Sequence, residues 1–120
     1  MVDDVVDDVA VKKPYLVKMK QLDYGVMAET PQDAMKQIIA RIKNGEIGLE
    51  NCSLIMLVRQ SDKEDEDIGC RVVPALYGLG LISRRIALAS LGAGGIPLSA
   101  KEFQRIVDAD SWLWEGGVPK

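Results

Sequence analysis

Residues 30–45 read TPQDAMKQIIARIKNG, and this stretch decides the fold. Thr30 is a favourable N-cap, Pro31 suits a first helical turn, and Asp33 stands where a capping box usually has Glu. Apolar side chains then recur at the spacing of one helix face, at Met35, Ile38, Ile39 and Ile42. Gly45 is suited to end a helix. The stretch therefore predicts an amphipathic helix with one buried face.

Two segments before this helix alternate in the way that β-strands do. Residues 14–20 place Tyr15, Val17 and Met19 on one face, and residues 24–29 do the same with Tyr24, Val26 and Ala28. Residues 21–23 are a turn candidate between them. The pattern predicts a β-hairpin with one solvated side, on whose other side the helix packs.

The part of the chain after the helix predicts one more strand and two more helices. Residues 54–58 are five consecutive apolar residues, which is typical of a central strand covered on both faces. Pro74 opens a helix expected to run to Leu91, and Ser99 with Glu102 forms a capping box for a short last helix. We therefore predict a two-layer α+β fold of order β-β-α-β-α-α, a small, mostly antiparallel sheet with helices on one face. Residues 1–13 are interpreted as a mobile acidic tail, 14–117 as the single domain, and 118–120 as a C-terminal tail.

Composition excludes several classes of function. The 120 residues suffice for one core, and the net charge of -3 argues against a protein whose whole surface binds nucleic acid. No histidine is present, which removes the commonest general base and most zinc sites. Cys52 and Cys70 lack CxxC spacing and are interpreted as free buried thiols, with a disulfide as the alternative. No catalytic residue, metal ligand or cofactor is predicted, so an enzyme is not favoured.

The chain is expected to be soluble and cytoplasmic. Its acidic first residues do not form a basic region followed by an apolar run, as a secretory signal would. The nearly uncharged run of residues 72–83 is too short to cross a bilayer. No membrane partner is expected.

The predicted helix over residues 74–91 carries two apolar stripes, although a surface helix needs only one. Gly78 and Gly80 within it either permit close packing or mark a break. Two tryptophans near the end of the chain are further candidates for interface anchors. The leading hypothesis is a non-enzymatic protein-protein interaction or assembly protein that forms a homo-oligomer. Its predicted interface residues are Tyr77, Leu81, Arg84, Arg85, Leu88, Leu91, Trp112 and Trp114.

Two other hypotheses stay open at this point. A nucleic-acid-linked regulator would use a basic face formed by Lys18, Lys20, Arg84 and Arg85. A small-ligand-binding protein or enzyme would place its pocket at the glycine-rich joint Gly92–Gly95, where backbone N–H groups can converge on an anion.

Residues 15–44 combine a predicted hairpin with a helix that begins Thr-x-x-Asp-Ala. This unit resembles the sheet-and-helix unit of HicB-type antitoxins. The resemblance covers a quarter of the chain and includes no diagnostic motif, so no function is inferred from it.

Overall fold

Four antiparallel strands form one sheet in the computed structural model, which describes residues 11–62, 67–92, 96 and 98–115. They are β1 (Lys13–Met19), β2 (Leu22–Ala28), β3 (Ile55–Gln60) and β4 (Ile68–Arg71), in the order β2-β1-β3-β4. Most of the predicted acidic tail and all of the predicted C-terminal tail lie outside the described residues.

The predicted hairpin is confirmed, with a tighter turn than expected. Met19 pairs with Leu22, so only Lys20 and Gln21 connect the strands, and Lys20 has a φ of 55°. A positive φ at this place is typical of two-residue hairpin turns, whose twist matches that of the strands. The buried side of the hairpin consists of the side chains that the alternation predicted: Tyr15, Val17, Met19, Val26 and Ala28.

The first helix, α1 (Pro31–Lys43), is also confirmed. The Thr30 hydroxyl accepts a hydrogen bond from the backbone N–H of Asp33 at 3.0 Å, as its capping role requires. The four apolar side chains of the predicted stripe are all buried and pack on the sheet: Met35, Ile38, Ile39 and Ile42. Burial of this stripe docks the helix, while the cap sets where it begins.

The single helix predicted over residues 74–91 is wrong in its middle. The structure has two short helices, α2 (Val73–Gly78) and α3 (Arg84–Leu91). Gly80, with a φ of 77°, lies in the connection, and the Ser83 hydroxyl caps α3 by accepting from the N–H of Ile86 at 3.2 Å. The break therefore has two local causes, a glycine in the left-handed region and a new N-cap.

The predicted last helix is present as α4 (Ala100–Asp110), capped by Ser99. Short 3-10 turns follow α1 and α4, at Leu49–Asn51 and Ser111–Leu113. The α+β class is confirmed. The predicted order of elements holds approximately, with β4 and the extra helix added.

The core has two parts. The larger lies between the sheet, α1 and α2, and includes Val17, Ile38 and Met56. The smaller lies among α2, α3 and α4 around Phe103, with Val73 and Ala87. Because the described helices contribute to these two clusters, no described element covers the opposite face of the sheet.

Candidate protein-protein interface

The open face of the sheet carries apolar side chains at its centre. Alternation along β3 turns Met56 and Val58 toward the core, where both are fully buried. It turns Ile55 and Leu57 the other way, where they are 47% and 40% exposed. The sequence predicted a β3 that is covered on both faces. The strand does lie between two others, but none of the elements in the described ranges covers its second face.

Charged side chains surround a shallow depression on this open face. The depression, of about 120 Å³, lies between Leu16 and Leu57 and is bordered by Lys18, Asp23, Arg59 and Asp67. Lys18 pairs with Asp23 across the β1–β2 ladder. Opposite charges at neighbouring strand positions attract each other, so this face has little net charge.

A second opening follows the outer edge of β4. It has a volume of about 480 Å³ and is lined by residues of α1, β3, β4 and the segment after α4, among them Met35, Ile68 and Trp112. Ile68 is 41% exposed there. Arg71 makes a bidentate pair with Asp110, with Nε–Oδ2 and Nη2–Oδ1 distances both of 3.1 Å. This pair ties the end of β4 to the end of α4.

Both cysteines are free thiols with raised pKa values. Burial raises the pKa of Cys70 to about 11, and Asp110 adds to this while Arg71 opposes it. Burial also raises the pKa of Cys52, which the charge of Lys20 partly offsets. The thiolate is the reactive form of cysteine, and a raised pKa disfavours it. Neither thiol therefore has the lowered pKa that is typical of an activated nucleophile.

The interface residues predicted on the helical side pack largely within the chain. Tyr77 contacts Phe103 edge-on, with ring centroids 5.0 Å apart, and Arg84 lies 5.6 Å from the centroid of the same ring. Leu88 and Leu91 are partly buried in this cluster. Leu81, Trp112 and Trp114 are partly buried against the larger core, whereas Arg85 is exposed. The predicted outer stripe is thus divided between α2, α3 and their connection, and its apolar members pack against the two core clusters.

The four cations of the proposed basic face lie on three separate elements. Lys18 lies on the open face of the sheet, and Lys20 in the hairpin turn donates to the backbone carbonyl of Glu50. Arg84 and Arg85 belong to α3, in the helical layer on the other side of the sheet. The structure does not bring them together as one binding surface.

No site for a metal emerges from the part of the chain that the structure describes. Within it, no three Cys, Asp or Glu side chains are grouped to bind an ion, and no helix is long and apolar enough to span a membrane. The glycine-rich joint proposed as a ligand pocket lies outside the described residues, except for Gly92 at the end of α3.

The free edge of β4 was missed by the sequence reasoning. The strand is only four residues long and contains Gly69, so it has no clear alternation. The sequence held one indication of β4, the apolar run in β3, because this run predicted a central strand with a neighbouring strand on each side. Comparisons with protein-family models, curated proteins and solved structures found no match for this chain. Function is therefore argued from the geometry.

Proposed function

We propose that this chain is a non-enzymatic interaction or assembly protein that self-associates through the open face of β3 and β4. The observation that carries the proposal is the outward side of β3, where Ile55 and Leu57 lie two residues apart and are exposed, with no layer over them from the part of the chain that the structure describes. Contiguous apolar surface with a polar border is characteristic of interaction sites.

The same two residues set the energetic scale. Each side chain is already about half covered by its own chain. Burying the remaining half of either one in an interface therefore contributes about 1 kcal/mol, roughly half of what full burial of such a side chain is worth. Two copies that use the same patch bury both side chains twice, as a symmetric interface requires. The charged border at Lys18 and Asp23 then supplies orientation more than affinity.

A nucleic-acid partner receives less support from the same surface. Lys18 has Asp23 as its cross-strand partner, and Arg59 shares the central depression with Asp67. A phosphate backbone would have to compete with these carboxylates. The proposal places the protein in the cytoplasm, since two free thiols suit a reducing compartment.

Light scattering coupled to size-exclusion chromatography tests the proposal over a range of protein concentrations. We expect a concentration-dependent dimer or larger assembly for the natural chain. Leu57→Lys should weaken it at least about tenfold, because a charge would have to be buried. The matched control is Ile86→Lys, which changes an apolar residue on α3 that is 54% exposed, somewhat more than Leu57, and should leave association unchanged.

The outcomes separate the proposal from its alternatives. Dissociation by Ile86→Lys alone would show self-association through the helical layer and would move the interface away from the sheet. Elution as a strict monomer at the highest concentration would contradict the proposal.

A further inference from the structure

The two edges of the sheet differ in how their outward backbone groups are satisfied. On the β2 edge, α1 covers them: the Gln37 side chain donates to the carbonyl oxygen of Met27 at 2.8 Å, and the N–H of Glu29 donates to Asp33 at 3.3 Å. Such covering prevents an edge strand from pairing with another chain. The β2 edge is therefore closed at its C-terminal end.

On the β4 edge, the register identifies the groups that point outward. The N–H of Val72 donates to the carbonyl of Leu54 at 2.9 Å, and Met56 pairs with Cys70. Because antiparallel partners alternate between hydrogen-bonded and non-hydrogen-bonded pairs, Cys70 turns its backbone groups toward β3. Gly69 and Arg71 then turn theirs away from the sheet. Asp67, just before the strand, would do the same if the alternation continues by one residue.

These outward groups are nearly free of intramolecular partners. Across the described ranges, the hydrogen bond directed to them is a weak one, from the Cys70 thiol to the carbonyl oxygen of Arg71 at 3.5 Å. The opening of about 480 Å³ described above runs along this edge and includes Gly69 in its lining. The edge therefore has both donors and acceptors to offer and space beside it.

We propose that a second copy of this chain pairs with β4 in antiparallel orientation, with Gly69 opposite Gly69 across a two-fold axis, so that the two sheets become one. This inference rests on the proposed self-association and specifies its geometry. In this register the outward residues form hydrogen-bonded pairs: Gly69 with Gly69, and Asp67 with Arg71 of the second copy, twice. Each such pair exchanges both of its N–H···O bonds.

Charge complementarity selects this register over its neighbours. Asp67 and Arg71 have the same parity as Gly69, so each carboxylate would stand opposite a guanidinium of the other copy. Registers that place Asp67 opposite Asp67, or Arg71 opposite Arg71, would juxtapose like charges. The existing pair with Asp110 uses two of the five N–H donors of Arg71, which leaves others for Asp67 of the second copy.

The same register brings the uncovered apolar residues of both copies toward the axis. A Cβ built at Gly69 would lie 3.6 Å from Ile55 Cγ2 and 3.8 Å from Leu57 Cδ2, so both side chains lean over this glycine. Two opposed glycines then form a shallow floor between the Ile55 and Leu57 side chains of the two copies. Edge pairing and apolar burial thus act at one place.

Proline at position 69 tests the pairing with little effect on the monomer. The N–H of Gly69 points outward, so Gly69→Pro removes no bond to β3 but removes a central donor from each copy. We expect at least about tenfold weaker association by light scattering. The matched control is Gly25→Pro, the same change at an outward-facing position of β2, which should leave association unchanged. Circular dichroism verifies that both variants fold.

Charge reversal provides a second measurement that does not depend on proline. Asp67→Arg would face Arg71 of the other copy and should weaken association, most strongly at low salt. Glu46→Arg, an exposed acidic residue just after α1 and away from the open face, is its control and should have no such effect.

Disulfide trapping tests the register. Ile68 would face Cys70 of the second copy in a non-hydrogen-bonded pair, with Cα atoms about 4.5 Å apart, which suits a disulfide. We expect Ile68→Cys to yield a covalent dimer with diamide, which takes one hydrogen from each thiol and is reduced to the hydrazine. Mildly alkaline pH is needed because the pKa of Cys70 is raised. The control, Ile68→Cys with Cys70→Ser, should stay uncrosslinked.

The results distinguish this inference from the proposed function. Association that survives both Gly69→Pro and Asp67→Arg, without trapping at position 68, would overturn the edge pairing and leave self-association standing. A natural chain that is monomeric throughout would overturn both.

Discussion

Gly78 ends α2 directly against the indole ring of Trp114, and its replacement by alanine tests how the second half of the chain packs. A Cβ at this position would lie 2.1 Å from Trp114 Cε2 and 2.3 Å from Nε1. Both distances are far below ordinary van der Waals contact, so the ring must move by more than about 1 Å, or the helix must shift. Trp114 is itself packed against the larger core.

Two opposing effects set the magnitude. Alanine is favoured over glycine in a helix by up to about 1 kcal/mol, which would stabilise the variant. Overpacking a closely packed site costs about 1–3 kcal/mol. We expect the second effect to prevail and Gly78→Ala to lower the free energy of unfolding by about 1 kcal/mol. For a chain of 120 residues, the melting temperature should fall by about 4 °C.

Urea denaturation followed by tryptophan fluorescence measures this change, and a double-mutant cycle identifies its cause. In a Trp114→Ala background the clash is absent, so Gly78→Ala should become stabilising by as much as its helix propensity allows. The sign of the effect should therefore reverse between the two backgrounds. Equal effects in both, or a more stable Gly78→Ala single variant, would refute the close contact between Gly78 and Trp114.

Two further predictions concern local chemistry. Thr30→Ala and Ser99→Ala should each lower the free energy of unfolding by about 1 kcal/mol in thermal melts, because each removes the acceptor of a helix N-cap, whereas Thr30→Ser should retain most of the stability. Cys70 should react with a thiol reagent at pH 8 roughly 100-fold more slowly in the folded protein than in urea, because its pKa is raised from 9.0 to about 11. Since the folded state holds this proton more tightly, its contribution to stability should be lost as the pH rises from about 9 toward 11; Cys70→Ser should remove that pH dependence.

The elements with local signals could be predicted from the sequence. α1 has an N-cap, a proline in its first turn and a complete apolar stripe, and all of these agree with its observed packing. The hairpin has period-two alternation, although its turn is shifted because Lys20 adopts a positive φ that lysine rarely takes. Where propensity, periodicity and capping favour the same secondary structure, tertiary contacts do not change it.

The helical layer shows where such reasoning fails. A helical wheel over residues 74–91 assumes one continuous helix, so it placed side chains of α2 and α3 on faces that do not exist. The two glycines that were read as alternatives turn out to have one role each. Gly78 permits the close approach of Trp114, and Gly80 allows the chain to leave the helix. A contact with a residue far along the chain has no signature in the local pattern.

β3 and β1 lie side by side, yet their outward faces differ in a way that bears on the second copy. The outward side of β1 mixes Leu16 with Lys18, as expected of a strand facing water, whereas that of β3 begins with Ile55 and Leu57. The exposed apolar pair thus lies next to β4, whose own outward positions are Gly69 and Arg71. The backbone also differs between the two edges, since α1 caps outward groups on the β2 edge, whereas among the described residues the Cys70 thiol alone donates to those of β4. Exposed apolar side chains and outward backbone groups without strong hydrogen bonds are independent features. In the described part of the chain, both occur on the side of the domain that β3 and β4 form. A second copy that pairs its β4 with this edge would bond the backbone groups of β4 and bury the apolar side chains of β3 together. A ligand bound only to the open face would leave the backbone groups without partners.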